Sequence, residues 1–121
     1  MQHATLGSRV LIIEDEFFLA DDLAGELSGA GYQVVGFASS VEKARQLAAS
    51  ATLNADAAVV DINLGGKMIY PVVDILRSRG IKVVFSTGYS RSAIPRDYAS
   101  IPVLSKPYGE VELLEALSDL D

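Results

Sequence analysis

The chain has 121 residues, of which 50% are hydrophobic and 21% charged, and it carries 10 basic and 16 acidic side chains for a formal net charge of −6. This length and composition predict one globular domain that folds alone. The acidic balance argues against nucleic acid and anionic membranes as direct partners, because proteins that bind these polyanions carry a surplus of basic side chains. The chain contains no cysteine, which excludes disulfides and thiolate chemistry.

The first residues lack the apolar run of a signal peptide, and no segment reaches the length of a membrane span. We therefore expect a cytoplasmic protein that does not bind membranes. Residues 1–8 are predicted to form a flexible leader, and residues 9–121 the folded domain.

Short apolar runs alternate along the chain with segments of helical period. Five runs are typical of buried strands: residues 10–13, 33–38, 57–60, 81–86 and 102–105. Four segments have a helical period: the one with leucines at 19, 23 and 27, and residues 40–50, 68–79 and 110–120. Ser40 is a predicted N-cap and Gly80 a predicted helix end. Val111, Leu114 and Leu117 predict the buried face of the last helix.

Buried strands that alternate with helices require parallel pairing through right-handed crossovers. The pattern therefore predicts an α/β fold, a doubly wound five-stranded parallel sheet with helices on both faces. Residues 90–100 include Pro95 and scattered polar side chains, so the fourth helix is predicted to be short or irregular.

Polar side chains follow four of the predicted strands. Glu14 and Asp15 come after the first strand, Asp61 after the third, Thr87 after the fourth and Lys106 after the fifth. Ligands of such sheets bind beyond the carboxyl ends of the strands. Three neighbouring carboxylates repel one another unless a cation lies among them, and Mg²⁺ prefers oxygen ligands and phosphate. The set indicates phosphoryl transfer to a carboxylate, with the hydroxyl and the ammonium on the phosphoryl oxygens.

Each of these residues alone has an ordinary structural explanation, such as an acidic turn, a strand end, a capping hydroxyl or a solvated lysine. Taken together, and in this order at successive strand ends, these residues make the chain resemble the receiver domain of two-component response regulators over residues 10–120. The resemblance implies strand order 2-1-3-4-5 and Asp61 as the phosphoacceptor. It also implies that Mg²⁺ is bound by the carboxylates of Asp15 and Asp61, the backbone carbonyl of Asn63, and Glu14 directly or through water.

The resemblance further implies a role for each remaining residue of the site. Lys106 would contact the phosphoryl group, and Thr87 would move its hydroxyl onto a phosphoryl oxygen. Gly88 would leave the phosphoryl group room to enter. The Lys106–Pro107 peptide bond would be cis, which only a bond preceding proline adopts at small cost.

Two features depart from the family pattern. Val103 stands where most receivers have an aromatic residue that moves with the threonine, and the stretch between Thr87 and Lys106 is about one helical turn shorter than usual. Residues 85–90 resemble a subgroup with the motif Phe-Ala-Thr-Gly-hydrophobic-Tyr, with Ser86 and Ser90 as mismatches. Members of that subgroup are often single-domain receivers, and Tyr89 is a candidate replacement for the missing aromatic.

The predicted function is that of a single-domain response regulator without an output domain. A histidine kinase or a histidine phosphotransfer protein would phosphorylate it, and it would signal by binding a downstream protein or by passing the phosphoryl group on. A monomer or weak homodimer is expected, and a self-modifying phosphoacceptor rather than an enzyme. The alternatives are a small Mg²⁺-dependent phosphohydrolase and an interaction module that works without phosphorylation.

Two other motifs receive structural interpretations. Gly65-Gly66-Lys67 resembles a phosphate loop, but Asp61 and Met68 occupy positions that such a loop requires to be glycine and serine or threonine. A nucleotide site is therefore not predicted. The pair Phe17–Phe18 is interpreted as helix packing, with one ring partly exposed as the alternative.

Overall fold

A parallel sheet forms the centre of the computed structural model, which describes residues 8–120. The strands in chain order are β1 (Arg9–Ile13), β2 (Gln33–Ala38), β3 (Ala57–Asp61), β4 (Asn63–Leu64), β5 (Lys67–Met68), β6 (Lys82–Thr87) and β7 (Val103–Ser105). Five of them form one sheet in the order β2-β1-β3-β6-β7, and every neighbouring pair is parallel. Strands β4 and β5 form a separate two-stranded sheet, so β6 and β7 are the fourth and fifth strands of the main sheet. This confirms the predicted doubly wound fold and its strand order 2-1-3-4-5.

The helices are α1 (Phe17–Gly29), α2 (Val41–Ala49), α3 (Tyr70–Ser78) and α4 (Glu110–Ser118). They cover both faces of the sheet, so the central strands are buried on each side. Val10 and Ile12 pack in the cluster that contains Leu23 of α1 and Leu113 of α4. Leu11 and Ile13 point the other way, into the cluster formed with α2 and α3. None of the helices within residues 8–120 is long and apolar enough to cross a membrane.

Most of the predicted leader, residues 1–7, lies outside the described residues, as does residue 121. Ser8 lies at the start of the described chain, and its carbonyl accepts a hydrogen bond of 2.9 Å from the amide of Gln33. This contact extends the pairing of β1 with β2 by one residue.

Helix α2 is closed at both ends by side chains. The hydroxyl of Ser40 accepts from the amide of Lys43 at 3.1 Å, which confirms the predicted N-cap. At the other end, Nη1 of Arg79 donates to the carbonyls of Ala48 and Ser50 at 2.6 and 2.8 Å, and Nη2 donates to Leu53 at 3.2 Å. Arg79 thus supplies partners for carbonyls that the helix itself leaves unpaired.

A small hairpin replaces the predicted start of α3 at Met68. Strands β4 and β5 pair in antiparallel fashion, and Gly65 and Gly66 turn the chain with φ angles of 59° and 90°. Helix α3 then begins at Tyr70, with Pro71 in its first turn. The predicted boundary was wrong because residues 67–68 form the second strand of this hairpin, whose turn requires the two left-handed glycines, and the helix begins only after it.

The segment between β6 and β7 contains two short 3₁₀ turns, Arg91–Ala93 and Arg96–Tyr98, which confirms the prediction of an irregular fourth helix. Tyr98 attaches this segment to α3. Its ring stacks on that of Tyr70, with 4.6 Å between the ring centroids, and its hydroxyl donates to a carboxylate oxygen of Asp74 at 2.9 Å.

Two further sequence interpretations were wrong. Val111 of α4 is 67% exposed and Leu113 is buried instead, because the face that packs on the sheet is centred on residues 113 and 117; Leu117 is buried as predicted. Phe17 and Phe18, at the start of α1, are 66% and 78% exposed, so neither ring is buried by helix packing.

Candidate functional site

Three carboxylates meet where the parallel strands end. Asp61 is the last residue of β3, and Glu14 and Asp15 follow the adjacent strand β1. Each residue offers an oxygen atom, and these atoms all lie within 4.8 Å of one another. The structure therefore brings Asp61 next to the consecutive residues Glu14 and Asp15, from which it is far away in the chain, at the edge where α/β sheets bind ligands.

The carboxylate of Asp61 is held from two sides. Its Oδ1 accepts from the amide of Asn63 at 3.1 Å, and its Oδ2 accepts from the ammonium of Lys106 at 3.0 Å. The residue is only 7% exposed. These contacts fix the carboxylate at the rim while leaving it in reach of the other two acids.

Lys106 serves two carboxylates. Its Nζ also lies 3.1 Å from Oε1 of Glu14. Burial of Lys106 opposes its charge, but the hydrogen bond and charge of Asp61, together with those of Glu14, outweigh this effect and raise the pKa of Lys106. The residue is therefore a fixed cation at the centre of the site.

Glu14 is almost completely buried, at 1% exposure. Burial, followed by the negative charge of Asp61, raises the pKa of Glu14 from 4.5 to about 7, although Lys106 and the amide of Glu16 act in the opposite direction. The single ammonium thus does not neutralise the acidic cluster. Hard oxygen donors and an excess of negative charge fit a divalent cation such as Mg²⁺.

The β4–β5 hairpin borders the site. Its tip contacts Asp15, since the amide of Gly65 donates to Oδ2 of Asp15 at 3.0 Å. The side chain of Asn63 accepts from the amide of Gly66 at 2.7 Å and donates to the hydroxyl of Tyr89 at 2.7 Å. The hairpin therefore connects the acidic cluster to the loop after β6. The paired glycines of residues 65–66 are the sequence signal that could have revealed it.

Thr87 is buried at the end of β6, and its hydroxyl accepts from the amide of Tyr89 at 2.9 Å. The hydroxyl thus has a local partner in this conformation. A Cβ atom built on Gly88 would meet no atom within 4 Å, so the space beside Thr87 is open. Val103 pairs with Phe85 and is half-buried.

The segment that carries Lys106 is joined to β6. The amide of Lys106 donates to the carbonyl of Thr87 at 2.8 Å, and the Lys106–Pro107 bond is cis, as the resemblance implied. Sequence reasoning missed a second link, in which the hydroxyls of Ser86 and Tyr108 lie 3.0 Å apart. Its signal was the mismatch at Ser86, where a hydroxyl replaces the alanine of the motif.

No protein-family model matches the chain, but comparisons with individual proteins do. The solution structure of SdrG from Sphingomonas melonis Fr1 superposes with a TM-score of 0.79 and 35% identity, covering 96% of this chain and 97% of SdrG. The response regulator receiver (REC) domain of Erythrobacter litoralis PhyR matches with a TM-score of 0.80 and 26% identity, over 96% and 91% of the two chains. The chain belongs to the response-regulator receiver family.

Among curated proteins, this receiver is 33% identical over 88 residues to the phyllosphere-induced regulator PhyR of Methylorubrum extorquens. The match covers 71% of this chain and 33% of PhyR, so the receiver spans about a third of that relative. A second solution structure of SdrG, in its BeF₃-activated conformation, has a TM-score of 0.79 and 34% identity, over 99% of this chain and 98% of SdrG. The family predicted from the strand-end residues is thus confirmed.

Proposed function

We propose that the chain is a response regulator in which Asp61 accepts a phosphoryl group from a histidine kinase or a histidine phosphotransfer protein in a Mg²⁺-dependent reaction. The observation that carries this proposal is the contact of Asp61 with Lys106 beside two further carboxylates. A lone buried aspartate would serve as a strand end, but this arrangement also provides a cation for the incoming group.

In the proposed transfer, one carboxylate oxygen of Asp61 forms a P–O bond while the P–N bond of a phosphohistidine breaks. The histidine leaves as a neutral imidazole whose other ring nitrogen keeps its proton. Glu14, Asp15 and Asp61, with the backbone carbonyl of Asn63, would hold Mg²⁺, which as a Lewis acid stabilises the charge on the phosphoryl oxygens.

The residues around Asp61 have distinct proposed roles. Lys106 already donates to Asp61 and would share its ammonium with a phosphoryl oxygen. Thr87 would exchange its contact with the amide of Tyr89 for a phosphoryl oxygen. The loop that follows β6 would then lose one of its hydrogen bonds, and the resulting change in its conformation would alter the binding of a protein partner.

The proposed partners are a phosphodonor protein and a downstream protein, with the receiver a monomer or weak homodimer in the cytoplasm. SdrG, which is 34% identical to this chain, has a BeF₃-activated conformation, and this supports an activated state in the present receiver as well. The acidic net charge, −6, argues against nucleic acid as a partner.

Incubation with Mg²⁺ and acetyl phosphate or phosphoramidate, followed by intact mass spectrometry, tests the proposal. One phosphoryl group that is labile to hydroxylamine is expected, because acyl phosphates react with that nucleophile. Asp61→Asn should remove it, and Asp21→Asn, on the exposed face of α1, should not. Two results would contradict the proposal. In the first, the chain stays unmodified with Mg²⁺ and these donors and also with a phosphohistidine protein. In the second, Asp61→Asn is phosphorylated as well as the wild type.

The alternatives give different results in the same preparation. A phosphohydrolase would release phosphate from an excess of a free phosphate ester over many turnovers. An interaction module that works without phosphorylation would keep full partner binding in Asp61→Asn.

A further inference from the structure

A partly buried hydrogen bond between two hydroxyls lies beside the proposed phosphoryl site, one residue before Thr87. Ser86 of β6 is 1% exposed, and its hydroxyl lies 3.0 Å from that of Tyr108. Neither residue touches the three carboxylates in the hydrogen bonds described above, and neither has a role in the proposed transfer. Loss of the Tyr108 hydroxyl would leave the buried hydroxyl of Ser86 without this partner, which costs stability.

This contact is the second of two that attach the segment 106–108 to β6. The last paired residues of β6 and β7 are Thr87 and Ser105. Beyond that pair, the amide of Lys106 donates to the carbonyl of Thr87 at 2.8 Å, and two residues later Tyr108 reaches Ser86. The backbone of Lys106 is therefore held on both sides, against two consecutive residues of one strand.

The ring of Tyr108 is also fixed. It packs against the cluster between the sheet and helices α1 and α4. Burial raises the pKa of Tyr108, and the charges of Lys106 and Glu14 act on it with opposite signs. Its hydroxyl therefore lies within electrostatic range of Lys106 and Glu14.

We propose that Tyr108 is a positioning residue for Lys106 and acts through its hydrogen bond with Ser86. This inference rests on the proposed function. A lysine side chain is long and flexible, so the position of its ammonium depends on how firmly its backbone is held. Loss of the Ser86–Tyr108 bond frees the segment 106–108, and the site then holds a phosphoryl-like anion less tightly.

Two ligands separate positioning of Lys106 from general stability. Mg²⁺ alone tests the carboxylates, whereas beryllofluoride added at saturating Mg²⁺ also tests Lys106. Both affinities are measured by NMR titration of the backbone amides of residues 61 and 87. The variants are Tyr108→Phe, Ser86→Ala and the double variant, with Tyr98→Phe as a control that removes a different tyrosine hydroxyl, bonded to Asp74 on α3.

Unchanged Mg²⁺ affinity is expected in all variants, because neither hydroxyl touches the carboxylates. Beryllofluoride affinity should fall about threefold to tenfold in both single variants and in the double variant, the equivalent of one hydrogen bond. Tyr98→Phe should bind both ligands like the wild type.

The double variant keeps the inference falsifiable if a single variant folds poorly. Removal of both hydroxyls leaves no buried group unpaired, so thermal stability should return close to that of the wild type while beryllofluoride affinity stays low. Recovery of that affinity in the double variant, or wild-type affinity in every variant, would overturn the positioning role. A wild-type protein that binds Mg²⁺ but not beryllofluoride would overturn the proposed function and this inference with it.

Discussion

Lys106 and Asp61 form an ion pair of 3.0 Å although 45 positions separate them in the chain. The same ammonium lies 3.1 Å from Glu14. Loss of this one cation would leave two buried carboxylates facing each other. The pair therefore links the chemistry of the site to the stability of the metal-free protein.

Lys106→Met should lower the free energy of unfolding in EDTA by about 1–3 kcal/mol, less than for a fully buried pair because the lysine side chain is 25% exposed. Urea denaturation measures this effect, and added Mg²⁺ should recover part of the loss. Lys67→Met is the matched control, since its ion pair with Glu42 is largely exposed and solvent screening leaves it little effect on stability. Equal losses in the two variants would contradict the prediction.

Stability of the metal-free protein should depend on the ionisation of Glu14. Because its pKa is raised from 4.5 to about 7, the folded state binds more protons than the unfolded state between these values. Stability in EDTA should therefore fall as the pH rises from about 4.5 to 7 and then level off.

Glu14→Gln should remove this part of the pH dependence and stabilise the metal-free protein above pH 7, while it weakens Mg²⁺ binding. Thermal unfolding in EDTA over this pH range and calorimetric Mg²⁺ titration measure the two effects. The exposed Glu16→Gln serves as the control and should change neither. A Glu14→Gln variant that keeps the wild-type slope between pH 4.5 and 7 would show that another group titrates there.

Arg79→Met should destabilise the fold by about 1–3 kcal/mol, because three carbonyls in the segment that ends α2 lose a charged donor. Hydrogen exchange should also accelerate in the last turn of that helix. Denaturation in urea and amide exchange measured by NMR test both effects. Arg45→Met, on the exposed side of α2, should change stability by less than about 0.5 kcal/mol; a similar loss there would argue against the capping role.

Tyr89 is the candidate replacement for the missing aromatic at position 103. Its amide donates to Thr87 and its hydroxyl accepts from Asn63, so movement of Thr87 would release one of its two contacts. Tyr89→Ala should reduce the amide shifts that beryllofluoride causes in residues 90–98, and should reduce phosphorylation-dependent partner binding. Ser90→Ala, the next residue along, is the control. Unchanged partner binding in Tyr89→Ala would end this role.

The sheet and the acidic cluster could be predicted from the sequence because both depend on strong local signals. Buried runs such as residues 10–13 and 57–60 read as strands, and parallel pairing then brings their carboxyl ends together. Asp15, Asp61 and Lys106 are thus placed on one rim without any knowledge of side-chain contacts.

The features that were missed depend on short turns or on tertiary contacts. The hairpin around Gly65 and Gly66 is too short for a periodic pattern of its own, and the helical period of the sequence runs back through it to Met68. Val111 has the spacing of a buried residue, but the way α4 packs on the sheet buries Leu113 and leaves Val111 exposed. The contact of Ser86 with Tyr108 joins residues of two different elements, and no local pattern connects them.

The two outer strands of the sheet differ in their ability to add another chain. β2 has six residues, whereas β7 has three and lies between Pro102 and the Lys106–Pro107 bond. Proline lacks an amide hydrogen, so both flanks of β7 have fewer donors for an incoming strand. The short outer strand thus makes this edge of the sheet a poor template for edge-to-edge aggregation.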